Sequence, residues 1–254
     1  MTASTHRSGS TNIRRPDHPL PPPAEKAETV RRMFGDIAPR YDLLNHLLSL
    51  NLDRRWRRAA VDRLLGGGHD AGWYLDTCAG TLDLALELAN RPAFSGRIVA
   101  CDFSLPMLAR GASKVAVAPV EAVCADALKL PLPDAAVRGA TVGFGVRNLS
   151  SLEVGAAELA RVIAPGGRLV ILEFTTPRQV LFRALYLFYF RRLLPWIGRR
   201  ISRHGTAYDY LPASVLAFPS PEGLAGILEN AGFRDVRWRL LAGGIVAIHE
   251  AVRA

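Results

Sequence analysis

Short apolar runs alternating with helix-like stretches constrain this chain more than any other feature. WYLDTC (73–78) precedes a helical pattern from about Thr81 to Arg91. RIVACD (97–102) precedes one from about Leu105 to Lys114, and GATVGF (139–144) one from about Leu152 to Ile163. VEAVCAD (120–126) and RLVILEF (168–174) complete the set, the last after a turn at APGG (164–167). A strand that is apolar along its whole length, not only at alternate residues, is buried on both faces. Such strands separated by helices predict an α/β domain with a mostly parallel sheet and helices on both faces. The C-terminus differs. PEGLAGILENAGF (221–233) reads as a helix with a glycine stop, and DVRWRLL (235–241) and GIVAIHEAV (244–252), joined through Ala242-Gly243, read as an antiparallel pair. The expected sheet has seven strands.

The first run leads into a tight loop of small residues and then a helix. This order places a nucleotide-like ligand against a helix N-terminus. A full glycine loop would carry Gly at the places of Cys78, Gly80 and Leu82, and only Gly80 is present. Leu82 is tolerable there if its φ is negative; otherwise it crowds the ligand. Thr81 is a natural N-cap for the helix that follows, with Asp83 in the first turn. No G-x-G-x-x-G occurs, so the close approaches that a pyrophosphate needs are missing. Asp102 ends the second run, where a carboxylate can accept from both hydroxyls of a ribose. Asp126 and Ala127 end the third run; taken alone, Asp126 reads equally well as a turn residue.

The net charge of +9 on 254 residues is unevenly spread. Residues 70–175 hold nine Lys/Arg against eleven Asp/Glu, whereas 178–203 hold seven Arg and no acid. No stacking or groove-reading motif accompanies the arginines, which argues against nucleic acid. Residues 181–198, LFRALYLFYFRRLLPWIG, suit either an interfacial helix or an ordinary amphipathic one. No apolar run reaches the roughly 18 residues that span a bilayer. Residues 1–25 read as a disordered Ser/Thr/Pro/Arg tail without a signal-peptide core. Cys78, Cys101 and Cys124 are too far apart for close-paired metal motifs and read as buried thiols of a reducing cytoplasm. Residues 26–65 read as a helical cap with a break near Pro39, and 178–215 as a helical insertion in the domain 26–254.

Ordered segments of the chain resemble one family. MFGDIAPRYDLLNHLLSLNLDRRWRR (33–58), LPLPD (130–134), FGVRNL (144–149), RVIAPGGRLVILEFTTP (161–177), YDYLPASVLAFP (208–219), AGF (231–233) and GGIVAIH (243–249) are similar, in this order, to blocks of the ubiquinone/menaquinone biosynthesis C-methyltransferases. The resemblance implies a Rossmann-like class I methyltransferase fold, S-adenosylmethionine as cofactor, and methyl transfer to a ring carbon of a polyprenyl quinol. It departs at Val137 and Arg138, where relatives carry an aromatic residue and an acid.

The resemblance also implies roles. Gly80, Thr81, Asp102, Asp126, Ala127 and Gly143 fall at cofactor positions, with Gly143 able to contribute only backbone. Arg147 and Asn148 follow the fourth strand at the carboxyl edge of the sheet, where substrates bind. Arg147 would act as an electrostatic partner of an anionic quinol oxygen, because a guanidinium is a poor base, and Asn148 would orient that oxygen. Asp36, Tyr41 and Asn45 belong to the N-terminal block that covers the active site, and also suit capping and packing. No metal is implied. A cytoplasmic enzyme that meets the inner membrane face peripherally is expected, and a homodimer is left open. Two alternatives stand: methylation of another apolar small molecule, and a non-catalytic paralogue serving as a scaffold.

Overall fold

The computed structural model describes residues 20–66, 71–92, 94–188 and 206–254. Seven strands form one sheet in the order β3-β2-β1-β4-β5-β7-β6. These are β1 (Trp73–Thr77), β2 (Arg97–Asp102), β3 (Val120–Cys124), β4 (Val137–Gly143), β5 (Ile163–Phe174), β6 (Phe233–Leu241) and β7 (Val246–Arg253). Strands β3, β2, β1, β4 and β5 pair in parallel. β7 runs antiparallel to β6, as the C-terminal pattern predicted, and also antiparallel to β5.

Both faces of the sheet are covered, which is why its inner strands are apolar throughout. On one face Leu75, Val99, Cys101, Val142 and Ile171 pack with Leu159 of α6 (Leu152–Val162) and Leu228 of α9 (Pro221–Asn230). On the other, Tyr74, Ile98, Val170, Leu172 and Ile248 meet Trp56, Val61 and Leu64 of α3 (Leu52–Leu65) and Leu84 and Leu88 of α4 (Asp83–Ala89). Each such buried Leu, Ile or Val contributes about 1.5–3 kcal/mol. Val137, at the departure from the family pattern, is buried and opens β4 opposite Ile163.

Four expectations are corrected. Helix α1 (Pro23–Ile37) starts three residues before the expected cap, because Pro23 suits a first helical turn that needs no N–H there. After the 3-10 turn Ala38–Arg40 comes α2 (Tyr41–Leu48). β5 starts earlier than expected, at Ile163 rather than Arg168. APGG lies within that span but pairs with nothing on β4, since the register passes directly from Val137–Ile163 to Gly139–Arg168, where the expected strand begins. In that unpaired stretch Gly166 takes φ +77°. Cys124 is exposed, because β3 is an edge strand; Cys101 is buried and Cys78 half-buried.

The fourth correction concerns Thr81. Helix α4 begins at Asp83, and its N-cap position is held by Leu82 in the left-handed region, φ +67°. Capping falls instead to Asp76, whose Oδ2 accepts from the Ala85 N–H at 3.0 Å.

Of the expected insertion, α7 (Val180–Phe188) and α8 (Thr206–Ala217) are described; most of the Arg-rich stretch, 189–205, lies outside the described residues, as does most of the expected tail. α5 (Leu105–Ala112) completes the α-helices among the described residues.

Candidate active site

The strand order reverses beside β1, and there the loops at the carboxyl ends of β1, β2, β3 and β4 diverge and leave a crevice. A cleft of 670 Å³, its open mouth included, occupies it. Its walls combine Cys78 and Gly80 after β1, Asp102 and Phe103 after β2, Ala125–Leu128 after β3, and Gly143–Gly145 after β4. Phe34 and Tyr41 from the N-terminal helices and Asn148–Ser150 close the other side.

The loop after β1 keeps a glycine backbone without the glycines. Cys78 (φ +55°), Gly80 (φ +54°) and Leu82 (φ +67°) are all left-handed. Space for the two side chains comes from glycines elsewhere. A Cβ on Gly145 would stand 2.2 Å from Cys78 Cβ, and one on Gly111 would stand 2.7 Å from Leu82 Cγ. Leu82 is fully buried in the core and does not line the cleft. The expected escape through a negative φ is not taken, and neither is the expected crowding.

Asp102 fixes this loop. Its Oδ2 accepts from the Gly80 N–H at 2.8 Å and its Oδ1 from the Ser104 N–H at 2.8 Å. Burial raises its pKa, and the two N–H bonds pull the other way. Each oxygen keeps a lone pair. Asp126 also lines the cleft while accepting from the Leu128 N–H at 2.9 Å, so the turn reading and the wall reading both describe it. Thr81 does not line the cleft. It is buried, and its Oγ1 donates to Asp42 of α2 at 2.5 Å. Lys114 binds the same Asp42 and also Asp83, each at 2.7 Å, which pins α2 to the start of α4.

Arg147 and Asn148 separate. Asn148 lines the cleft, and its Oδ1 accepts from the Tyr210 hydroxyl at 3.1 Å. Burial pushes the Tyr210 phenol up to about 12. Arg147 lies behind the wall. Its guanidinium donates to Glu173 Oε1 at 2.7 Å and to the Phe144 carbonyl, and lies 5.5 Å from the Phe174 ring centroid. Glu173 is buried and also takes the Phe174 N–H at 2.8 Å. Tyr41 lines the cleft and hydrogen-bonds to Asn45 on the next helical turn; burial raises the Tyr41 pKa. Asp36 is exposed on α1 and is not part of the wall.

Sequence reasoning missed Glu173, Asp76, Lys26 and Tyr210. Glu173 and Asp76 had a signal, since each is a lone carboxylate inside an apolar strand, where it must find partners. Asp76 is fully buried, accepts from Thr141 Oγ1 at 2.9 Å, and is raised to about 7 by burial. Among the described residues no helix is long and apolar enough to cross a membrane, and no cluster of His, Cys, Asp and Glu could hold a metal.

A seven-stranded sheet of this order, with a cleft at the carboxyl ends of its parallel strands, is the class I methyltransferase architecture. A SAM-dependent methyltransferase of Thermotoga maritima has the same fold, with a TM-score of 0.59 at 16% identity over 88% of this chain and 99% of that one. The family is more specific. The model of the ubiE/COQ5 methyltransferase family matches residues 23–253, and the chain belongs to that family. It is 49% identical to the demethylmenaquinone methyltransferase of Thermus thermophilus, over 87% of this chain and all of that one. It is 47% identical to the ubiquinone/menaquinone biosynthesis C-methyltransferase UbiE of Geobacter sulfurreducens, over 89% of this chain and 88% of that one.

Proposed function

We propose that this chain transfers a methyl group from S-adenosylmethionine to a ring carbon of a polyprenyl quinol, a demethylmenaquinol or ubiquinone precursor. The observation that carries the reading is a single cleft with a buried, loop-anchored carboxylate on one side and a hydrogen-bonded amide and phenol among apolar residues on the other.

The residues present fit the cofactor. A side chain at Gly143 would press to 3.1 Å from Leu84, so backbone lies bare at that point of the wall. The spare lone pairs of Asp102 suit ribose hydroxyls, and Asp126 with Ala127 suits the adenine edge. Gly80 and Thr81 act through the loop they shape. The cofactor, when bound, supplies an electrophilic methyl on a sulfonium and needs no phosphate site.

The chain's remaining work is to orient the ring and stabilise its charge. Phe34, Phe103, Met107, Phe144 and Leu149 give an apolar, aromatic surround. Asn148 would hold a quinol oxygen directly. Arg147 would act as an electrostatic partner from behind, its charge largely balanced by Glu173, so the direct contact falls to Asn148. Tyr41, held by Asn45, would meet the ring from the N-terminal side. Outside the cleft, Val180, Leu181 and Phe188 of α7 are 84%, 86% and 64% exposed, with Arg183 also exposed. That mixture supports peripheral contact with an anionic membrane surface, where the substrate resides.

Calorimetric titration with S-adenosylmethionine tests the cofactor site. Binding is expected, and Asp102→Ala should weaken it by about 1–3 kcal/mol through lost charge-assisted hydrogen bonds. No binding at millimolar cofactor, or an unchanged affinity in the variant, would contradict the assignment. Restoring methylated quinone in a strain lacking that methylation separates quinol from other apolar acceptors.

A further inference from the structure

Asn148 sits on a three-residue 3-10 turn, Val146–Asn148. A turn this short has little cohesion of its own, because each hydrogen bond fixes almost as much chain as it stabilises. Its position must come from outside. On its inner side Glu173 takes the Arg147 guanidinium at 2.7 Å and the Arg147 N–H at 3.3 Å. On its other side stands α1. There Lys26 donates from Nζ to the Arg147 carbonyl at 3.0 Å and to the Leu149 carbonyl at 2.6 Å.

Those two carbonyls flank Asn148. One ammonium therefore grips the backbone on both sides of the residue whose side chain enters the cleft. Lys26 is half-buried, and burial together with the nearby Arg147 charge lowers its pKa. The two carbonyls are the acceptors for the ammonium in this half-buried setting. The same helix supplies Ala27 and Phe34 to the cleft, and the turn leads into Leu149 and Ser150 on it.

We propose that Lys26 is a positioning residue for methyl transfer: by bridging the carbonyls of Arg147 and Leu149 it sets the Asn148 amide and ties the α1 wall of the cleft to the wall that carries Asn148. The proposal rests on the methyltransferase reading of the cleft. It adds a determinant outside the cofactor and substrate residues assigned above.

The test compares Lys26→Met, which removes the donors, with Lys26→Arg, which keeps a cation able to reach two carbonyls. For a demethylated quinol, Lys26→Met should lower kcat/KM by about 10- to 100-fold, mostly through kcat, as expected for lost charged hydrogen bonds. Its S-adenosylmethionine affinity should stay at the wild-type value, and Lys26→Arg should recover most of the loss. Amide hydrogen exchange of the full chain should quicken at 146–149 in Lys26→Met and stay unchanged in β1. An unchanged kcat/KM, a matching loss of cofactor affinity, or no recovery in Lys26→Arg would overturn the proposal. If the wild-type chain methylates no quinol, the functional reading fails on its own account. The exchange data then still decide the tie: faster exchange at 146–149 supports it and unchanged exchange overturns it.

Discussion

Cys78 and Leu82 hold backbone conformations that glycine adopts freely, at about 1–2 kcal/mol each. The return differs between them. Leu82 is fully buried in the space that Gly111 leaves open. Leu82→Gly relieves the strain but loses a buried side chain worth about 2–5 kcal/mol, and it gains unfolded-state entropy as well. We expect a net destabilisation of about 2 kcal/mol by chemical denaturation. Cys78 is only half-buried, so in Cys78→Gly the relief and the entropy nearly cancel, and stability should stay within about 1 kcal/mol. Equal effects of the two substitutions would contradict this account. The sequence shows that glycines are missing from the loop. It does not show the sign of φ, because the room for both side chains is made by Gly145 and Gly111, far along the chain.

At the scale of elements, β1, β4 and α4 meet at one buried carboxylate. Asp76 joins them through Thr141 and the Ala85 N–H. Burial raises its pKa to about 7, so the folded chain holds this proton more tightly than the unfolded chain. The associated stability is fully present below about pH 4, the unfolded pKa, and is lost as pH rises through the folded pKa of about 7. The loss between pH 5 and pH 8 should be about 2–3 kcal/mol. Asp76→Asn is neutral throughout and keeps a donor and an acceptor, so its stability should fall less over that interval. Parallel denaturation curves for the two proteins would contradict the assignment.

The strands themselves were legible, because a doubly covered sheet imposes continuous apolar runs. What sat within them was less so. APGG reads locally as a turn and stays unpaired, but one pair ahead of it, Val137–Ile163, starts β5 earlier than the apolar run shows. Thr81 reads locally as a cap, but a carboxylate one strand back takes the N–H instead. Among site residues, Asp102 was legible from its distance to the loop. Arg147 was legible as a site neighbour, but its separation from the cleft depends on Glu173, which pairing across the sheet brings to it.

Across the whole molecule, the cleft is assembled from parts far apart in sequence. Lys26 reaches Arg147 over 121 residues and Tyr210 reaches Asn148 over 62, and no local pattern encodes either contact. Charge is likewise segregated: the central block, 70–175, is near neutral and slightly acidic, and the positive excess lies wholly outside it. If that charge meets the membrane, the chain should sediment with anionic vesicles, and less so as salt shortens the screening length from about 10 Å at 0.1 M to about 3 Å at 1 M. Equal sedimentation with neutral vesicles, or none with either, would remove the membrane from the account.

The central claim is methyl transfer to a quinol carbon in this cleft. Incubating the purified chain with S-adenosylmethionine and a chemically reduced, short-chain demethylmenaquinol, followed by mass spectrometry of the extracted quinone, measures it directly. The account predicts a product heavier by one methyl group on a ring carbon, with S-adenosylhomocysteine formed in equal amount. Cofactor binding without any methylated quinone, or a methyl placed on the hydroxyl oxygen, would contradict it.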